Sequence, residues 1–219
     1  MKVIDISREL FSTPVYPGDP EPRRELVRRM ELGDSYNLSG FYTGCHSATH
    51  VDAPRHFIND GKTVDELDLS RFMGRCTVVS AHGIVTGADI DRIMPYCEKI
   101  LLFKGGGEAY LSTSAAFALA AAGVTLVGTD AWSIGAPHEE AGPHVELLGA
   151  DIPILEGLCL SHVKEGTYTL VAFPLYLKGA EASRSILVRE RFRSLSNWGG
   201  MVVQGAFPFL IGGGGGSPP

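Results

Sequence analysis

A single mixed α/β domain with more sheet than helix is the fold this sequence predicts. Three observations carry that expectation. Short apolar, β-prone runs recur along the chain, at 76–80, 100–103, 124–127, 168–175 and 185–188. Helical patterning is confined to two short stretches, 86–94 and 114–122. No internal repeat or domain boundary interrupts the 219 residues, a length that suffices for one sizeable core.

In order, Val3-Ile4-Asp5-Ile6 reads as an opening strand. Thr13 to Pro20 is a turn-rich loop made rigid by prolines that fix φ. Glu25 to Arg29 is polar and suits a strand edge, while Ser35 to Thr43 alternates and is β-prone. Asn59-Asp60-Gly61-Lys62 is a strong turn signal. Val64, Leu67 and Leu69 alternate with acids that read as a solvated face. Cys76 to Ser80 is a buried strand, and Thr86 with Asp89 opens a short helix that runs out near Pro95.

Ile100 to Phe103 is a second buried strand. The Gly105-Gly106-Gly107 triplet after it lacks the spacing of a phosphate loop and reads as backbone freedom near a pocket. Ser112 or Thr113 caps an alanine-rich helix, Ser114 to Ala122, closed by Gly123. Val124 to Val127 is the next strand, ending in Gly128-Thr129-Asp130. Asp130 there suits either of two roles, orienting a metal ligand or capping the turn with Ser133. Pro137 to His144 reads as a charged, flexible loop with His138 exposed, and a short amphipathic turn follows from His144. Ile152 to Leu155 is a strand ending in Glu156. Tyr168 to Leu175 and Ser185 to Val188 complete the sheet. The domain is expected over 1–211, followed by a disordered tail from Gly212 to Pro219, and Arg189 to Leu210 suits an oligomer contact.

The densest chemistry lies between Cys45 and Phe57. His46, His50, Asp52 and His56 stand at offsets 0, 4, 6 and 10. Imidazole and carboxylate together suit a divalent ion such as zinc or manganese. A helix would pair His46 with His50 and turn Asp52 away. An extended chain puts His46, His50 and Asp52 on one face, but a straight strand would separate the two histidine α-carbons by roughly 13 Å. The segment is therefore expected to be extended and bent, with Ser47-Ala48 as the place to bend. Pro54 ends any central strand and pushes Ala53 into an extended conformation.

Composition excludes several function classes. Lys+Arg 19 against Asp+Glu 25 gives a net charge of −6 with no basic run, which argues against nucleic acid. No apolar run approaches the roughly 20 residues that span a bilayer, so no membrane association is expected. The opening residues turn polar at once, unlike a secretory signal. The four cysteines, at 45, 76, 97 and 159, form no Cys-x-x-Cys, and free thiols in a cytoplasmic protein are expected.

His46-x-x-x-His50-x-Asp52-x-x-x-His56, with Pro54 two before the last histidine, resembles the signature of the cyclase family, which includes bacterial kynurenine formamidase and isatin hydrolase. The family's usual form carries a glycine where Ala48 stands. Tyr16-Pro17-Gly18-Asp19 resembles its aromatic-Pro-Gly-Asp element, in which tryptophan is frequent. The stretch from Leu111 to Asp130 resembles its central helix and strand, His144 with Glu156 its distal ligand pair, and Phe173-Pro174-Leu175 with Lys178-Gly179 its late strand and loop. The likeness runs from about residue 3 to residue 188.

The resemblance implies a swivelling β/β/α architecture and one or two divalent ions, zinc or manganese, per chain. It implies that His46, His50 and Asp52 hold a first ion and that His144 and Glu156 complete a second site, with Asp52 and Glu156 bridging. Tyr16 and Phe57 would line the substrate pocket, and His56, with an unperturbed pKa near about 6.5, would be the acid/base. The expected reaction is hydrolysis of the C–N bond of a small aryl formamide or cyclic amide, by a homodimer or homotetramer. Two rival readings are a ring-forming cyclase or dehydratase and a metal-binding protein without turnover.

Overall fold

The computed structural model describes residues 3–190. In chain order the strands are β1 (Val3–Asp5), β2 (Arg23–Arg28), β3 (Leu38–Tyr42), β4 (His50–Asp52), β5 (Met73–Ser80) and β6 (Gly83–Val85). Helix α1 (Gly87–Ile93) follows, then β7 (Ile100–Lys104), β8 (Ala109–Leu111) and α2 (Thr113–Ala121). The chain continues through β9 (Leu126–Thr129), α3 (Ala141–Gly149), β10 (Ile154–Glu156), β11 (Gly166–Pro174) and β12 (Ala182–Glu190). The mixed α/β class with few helices is as expected. The expected domain end at 211, the tail over 212–219 and most of the Arg189 to Leu210 contact lie outside the described residues.

The main sheet closes on itself. Its order is β1-β12-β11-β5-β7-β9-β10-β4, and β4 returns to pair with β12. Seven strands thus form a closed barrel, which leaves them no open edge, and β1 hangs on β12. Strands β5, β7, β9 and β10 run parallel to one another. The other pairings in the ring are antiparallel.

Strand alternation sorts the side chains into two layers. Val78, Leu102, Leu126, Leu155 and Val51 join the cluster inside the barrel. Leu101, Phe103, Val127 and Ile154 point the other way, against Ile90 of α1, Leu119 of α2 and Leu147 of α3. Parity along β4 and β10 follows the same rule. With Val51 and Leu155 inside, His50, Asp52 and Glu156 must face the helical layer.

Local signals set the helices. Thr86 and Asp89 form a reciprocal capping box on α1, and the Ser112 side chain accepts the N–H of Ala115 at the start of α2. Alanines on α2 allow close helix packing; at Gly142 of α3 an added Cβ would collide with the Thr113 hydroxyl. The expected loop up to His144 is helical from Ala141 onward. Pro143 is compatible because the first helical turn needs no N–H donor there. The acids around Val64 and Leu69 serve as turn caps: Glu66 closes a capping box on Thr63, and Asp68 accepts the Ser70 N–H.

Strands β2 and β3 stand apart as a two-stranded hairpin with no buried residue. Leu26, Val27, Leu38 and Phe41 are exposed on it.

Candidate metal centre

The bend between His46 and His50 is built by backbone geometry. Ala48 takes a left-handed conformation, φ +56°, which an L-residue adopts at a cost of about 1–2 kcal/mol and glycine adopts freely. The bend is seated against Gly157, where an added Cβ would collide with the Ala48 carbonyl. Thr49 fastens it: its hydroxyl donates to the Gly157 carbonyl at 2.6 Å and accepts the Arg8 N–H at 2.8 Å. Past the bend, β4 carries His50 and Asp52, and Pro54–His56 forms one turn of 3₁₀ helix that brings His56 back over the strand.

Strand register brings the remote ligands together. Antiparallel pairing of β4 with β10 sets Glu156 directly opposite His50. His144 reaches the same point from α3. His50 Nε2 lies 3.4 Å from Asp52 Oδ1 and 3.3 Å from Glu156 Oε2. His144 Nε2 lies 3.1 Å from Glu156 Oε1 and 3.7 Å from Asp52 Oδ2. His46 Nδ1 lies 3.0 Å from Asp52 Oδ1, and its Nε2 is 3.5 Å from Glu181. Asp52 and Glu156 thus each turn two oxygens to two sides.

Backbone carbonyls set the histidine tautomers. His50 Nδ1–H donates to the Ala48 carbonyl at 3.0 Å, and His144 Nδ1–H donates to the Glu140 carbonyl at 2.6 Å. Both rings therefore present Nε2 to the centre, the orientation that a carbonyl bonded to the other ring nitrogen gives a metal-binding histidine. Glu156 Oε1 also accepts the Ile134 N–H at 2.6 Å.

These residues fit a divalent ion. Both Asp52 oxygens and His50 Nε2 are buried without a hydrogen-bond partner, a costly state for polar atoms unless something else satisfies them. Candidate ligand atoms of His50, Asp52 and Glu156 lie within 4.8 Å of one another, and so do those of His46, Asp52 and His56. Asp52 belongs to both sets, and the nitrogen-and-oxygen donor set is that of a catalytic divalent site rather than a thiolate structural one.

Charge in the protein without an ion follows the same geometry. Burial opposes protonation of His50, but Asp52 and Glu156 outweigh it and raise the imidazole to about 10. His144 is likewise raised to about 10, with burial opposing and Asp52 and Glu156 prevailing. Asp52 is held well below the usual carboxylate range: burial pushes it up, and His50 and His46 push it down further. His56 goes the other way, lowered chiefly by burial. It is therefore neutral near pH 7.

A cavity of about 240 Å³ opens above this floor. His46 and His56 stand on its side, their ring centroids 4.1 Å apart. Phe57 also lines it and stacks on His144, with centroids 4.5 Å apart and planes 20° apart, so this ring braces a ligand as well as facing the pocket. Tyr16 lies at the mouth, and its hydroxyl donates to Glu140 at 2.7 Å.

Of the residues singled out in the sequence, Tyr16, His46, His50, Asp52, His56, Phe57, His144 and Glu156 converge here. Asp130 does not. Its carboxylate accepts the N–H groups of Gly105, Gly106 and Gly107, and no hydrogen bond among the described residues joins it to a histidine. It pins the glycine loop, because three amide donors at the end of β7 outbid a distant imidazole. That loop lines no part of the cavity, contrary to expectation. Asp19, Trp132, Ser133 and Glu140 do line it and were not singled out. Asp19 closes the Tyr16-Pro17-Gly18-Asp19 element, and Trp132 stands three residues past the end of β9, the only signals that pointed to these two.

The comparisons agree with this geometry. The family model described as "Putative cyclase" matches residues 4–136. The chain is 34% identical over 203 residues to a kynurenine formamidase of Sphingopyxis alaskensis, covering 85% of this chain and 97% of that protein. It is 36% identical over 197 residues to one from Geobacillus thermodenitrificans, covering 82% and 93%. A solved structure described as a predicted metal-dependent hydrolase from Bacillus stearothermophilus superposes with a TM-score of 0.74 at 28% identity, covering 86% of this chain and 97% of that one. Isatin hydrolase A from Labrenzia aggregata shares the fold, with a TM-score of 0.74 at 19% identity over 87% and 94%. A histidine and carboxylate cluster assembled from residues 46–56 and 144–156, on a sheet shared with these proteins, goes with a sequence match over most of the chain: it belongs to the cyclase family.

Proposed function

We propose that this protein is a metal-dependent hydrolase that cleaves the C–N bond of a small aryl formamide or cyclic amide. The observation that carries the reading is the buried, unpartnered set of Asp52 and His50 beneath a cavity, with Glu156 and His144 closing around it. Support comes from relatives named kynurenine formamidase at 34–36% identity.

His46, His50, Asp52, His144 and Glu156 would hold one or two divalent ions, zinc or manganese. Such an ion polarises a carbonyl and lowers the pKa of water toward about 7. His56, neutral near pH 7 and beside the floor, takes a proton from the attacking water. The water oxygen bonds to the carbonyl carbon, the C–N bond breaks, and His56 returns the proton to the departing nitrogen. Acid and amine are the products. Phe57 and Tyr16 border the space for the aryl ring.

The decisive experiment replaces His56 with alanine and follows metal content and turnover of N-formylkynurenine, isatin and formanilide together. Metal retained with turnover down about 10²–10⁴-fold supports the acid/base role. Metal retained with turnover unimpaired removes His56 from the mechanism. Because His56 also falls within ligand range of His46 and Asp52, loss of metal would make it a ligand instead. A metal-loaded protein inactive on all three amides would favour the ring-forming or non-catalytic readings.

A small-molecule substrate fits a cavity of this size. No helix among the described residues is long and apolar enough to cross a membrane. The cytoplasm, with cysteines 45, 76, 97 and 159 all free, is the proposed location. The exposed apolar β2–β3 hairpin suits a homodimer or homotetramer, which sedimentation would test.

A further inference from the structure

His46 is held differently from the other two histidines at the floor. The side chains of His50 and His144 are each 3% exposed, and each gives its Nδ1–H to a backbone carbonyl. His46 is 21% exposed and bonds to no backbone carbonyl among the described residues. Its Nδ1 lies 3.0 Å from Asp52 Oδ1, and its Nε2 faces Glu181 Oε1 at 3.5 Å. The ring is therefore reversed relative to its two neighbours, with Nδ1 toward the centre.

Glu181 is placed by strand pairing. Ala182 stands opposite Asp52, and the Glu181 carbonyl accepts the Ala53 N–H at 2.9 Å, which fixes its backbone against the end of β4. The Cys45 thiol donates to its carboxylate. Glu181 lines no part of the cavity, so any effect on the centre passes through His46.

A neutral imidazole with its proton on one nitrogen offers a lone pair on the other. A carboxylate at the outer nitrogen fixes that choice, orients the ring and makes it a more basic ligand. Backbone carbonyls do this for His50 and His144, whereas for His46 the acceptor in range is Glu181. The His46 ring also packs on His56, with centroids 4.1 Å apart, so a turned His46 would displace His56 as well.

We infer that Glu181 is a positioning residue: it keeps the proton of His46 on Nε2 and so makes this ring an Nδ1 ligand, opposite in sense to His50 and His144. The inference rests on the divalent-ion reading of the floor and on no particular substrate.

Two readouts test it, and neither is activity. The first is the zinc dissociation constant of the full chain, measured by chelator competition. Glu181→Ala is expected to weaken zinc binding about 10–100-fold, and Glu181→Gln, which keeps an oxygen acceptor, to recover most of that loss. Both variants should melt like the wild type without metal, since the Glu181 side chain is 41% exposed. The second is long-range proton–nitrogen NMR of zinc-loaded protein labelled at histidine, which should show Nε2–H at His46 and Nδ1–H at His50 and His144. Zinc bound as tightly by Glu181→Ala as by the wild type, equal losses in the Ala and Gln variants, or Nδ1–H at His46 would each overturn the inference. Should Glu181→Ala not fold, the wild-type spectrum still decides. A wild type that takes up no zinc fails the divalent-ion reading and the inference with it; zinc taken up equally by wild type and Glu181→Ala fails the inference alone.

Discussion

The floor of the cavity is carried by regular elements, and its mouth by loops. His50 and Asp52 lie on β4, Glu156 on β10 and His144 on α3, each fixed by register or helix packing. Tyr16 and Asp19 come from a proline-rich loop, and Trp132 and Glu140 from the segment between β9 and α3. His50, Asp52, His144 and Glu156 are almost fully buried, and each faces opposite charge. Tyr16 and Trp132 are both 37% exposed. This difference separates a part that must not move, because it concentrates charge away from water, from a part free to vary with substrate.

The largest expected effect strikes the floor. Asp52→Asn removes the carboxylate common to both candidate ligand sets and leaves His46, His50 and His144 facing less negative charge. Metal content should fall to trace by elemental analysis, with turnover, and the metal-free fold should lose about 3 kcal/mol in denaturant titration. Full metal content in this variant would break the account of the floor.

Next comes coupling to protons. A histidine must shed its Nε2 proton to bind metal. Since His50 and His144 both titrate near about 10 without an ion, metal uptake at pH 8 should release about two protons, seen as buffer-dependent calorimetric heats. The sign also holds for stability. A folded pKa raised above the unfolded value stabilises fully below about 6.5, and that contribution is lost as pH rises through about 10. Metal-free protein should therefore weaken between those limits in thermal melts, more than metal-loaded protein does. His56 is lowered instead, so the acid limb of kcat/KM should lie below about 6.5; a limb above it would contradict His56 as base.

A smaller effect belongs to the bend. Ala48→Gly relieves the left-handed conformation but loosens the unfolded chain, for a net gain of about 0.5–1 kcal/mol. That corresponds to a rise in Tm of about 2 °C, with metal content unchanged. The smallest belongs to the mouth. Tyr16→Phe removes one exposed hydrogen bond and should change stability by less than about 1 kcal/mol, while a change as large as that of Asp52→Asn would erase the distinction between floor and mouth.

The same distinction explains what could be read from the sequence. His46, His50, Asp52 and His56 were legible because strand geometry constrains a local spacing, and that geometry demanded a bend at Ser47-Ala48, where Ala48 indeed turns left-handed. Helix caps at Thr86 and Ser112 were legible for the same local reason. Closure of the barrel through β4 and β12 was not, since three residues of pairing between 50–52 and 182–184 leave no local mark. Asp130 was open between two roles and took neither, because the donors that claim it come from a loop 23 to 25 residues earlier. Glu140 and Trp132 were hidden because a loop's place over a cavity depends on contacts remote in sequence.

The central claim is that residues 46–56 and 144–156 share one divalent ion centre. Diffraction from zinc-soaked crystals, collected at the metal's absorption edge, tests it directly. The account predicts an anomalous peak between Asp52, His50 and Glu156, at about 2.0–2.2 Å from their ligand atoms. A peak elsewhere, with this cluster empty in protein that turns over substrate, would contradict it.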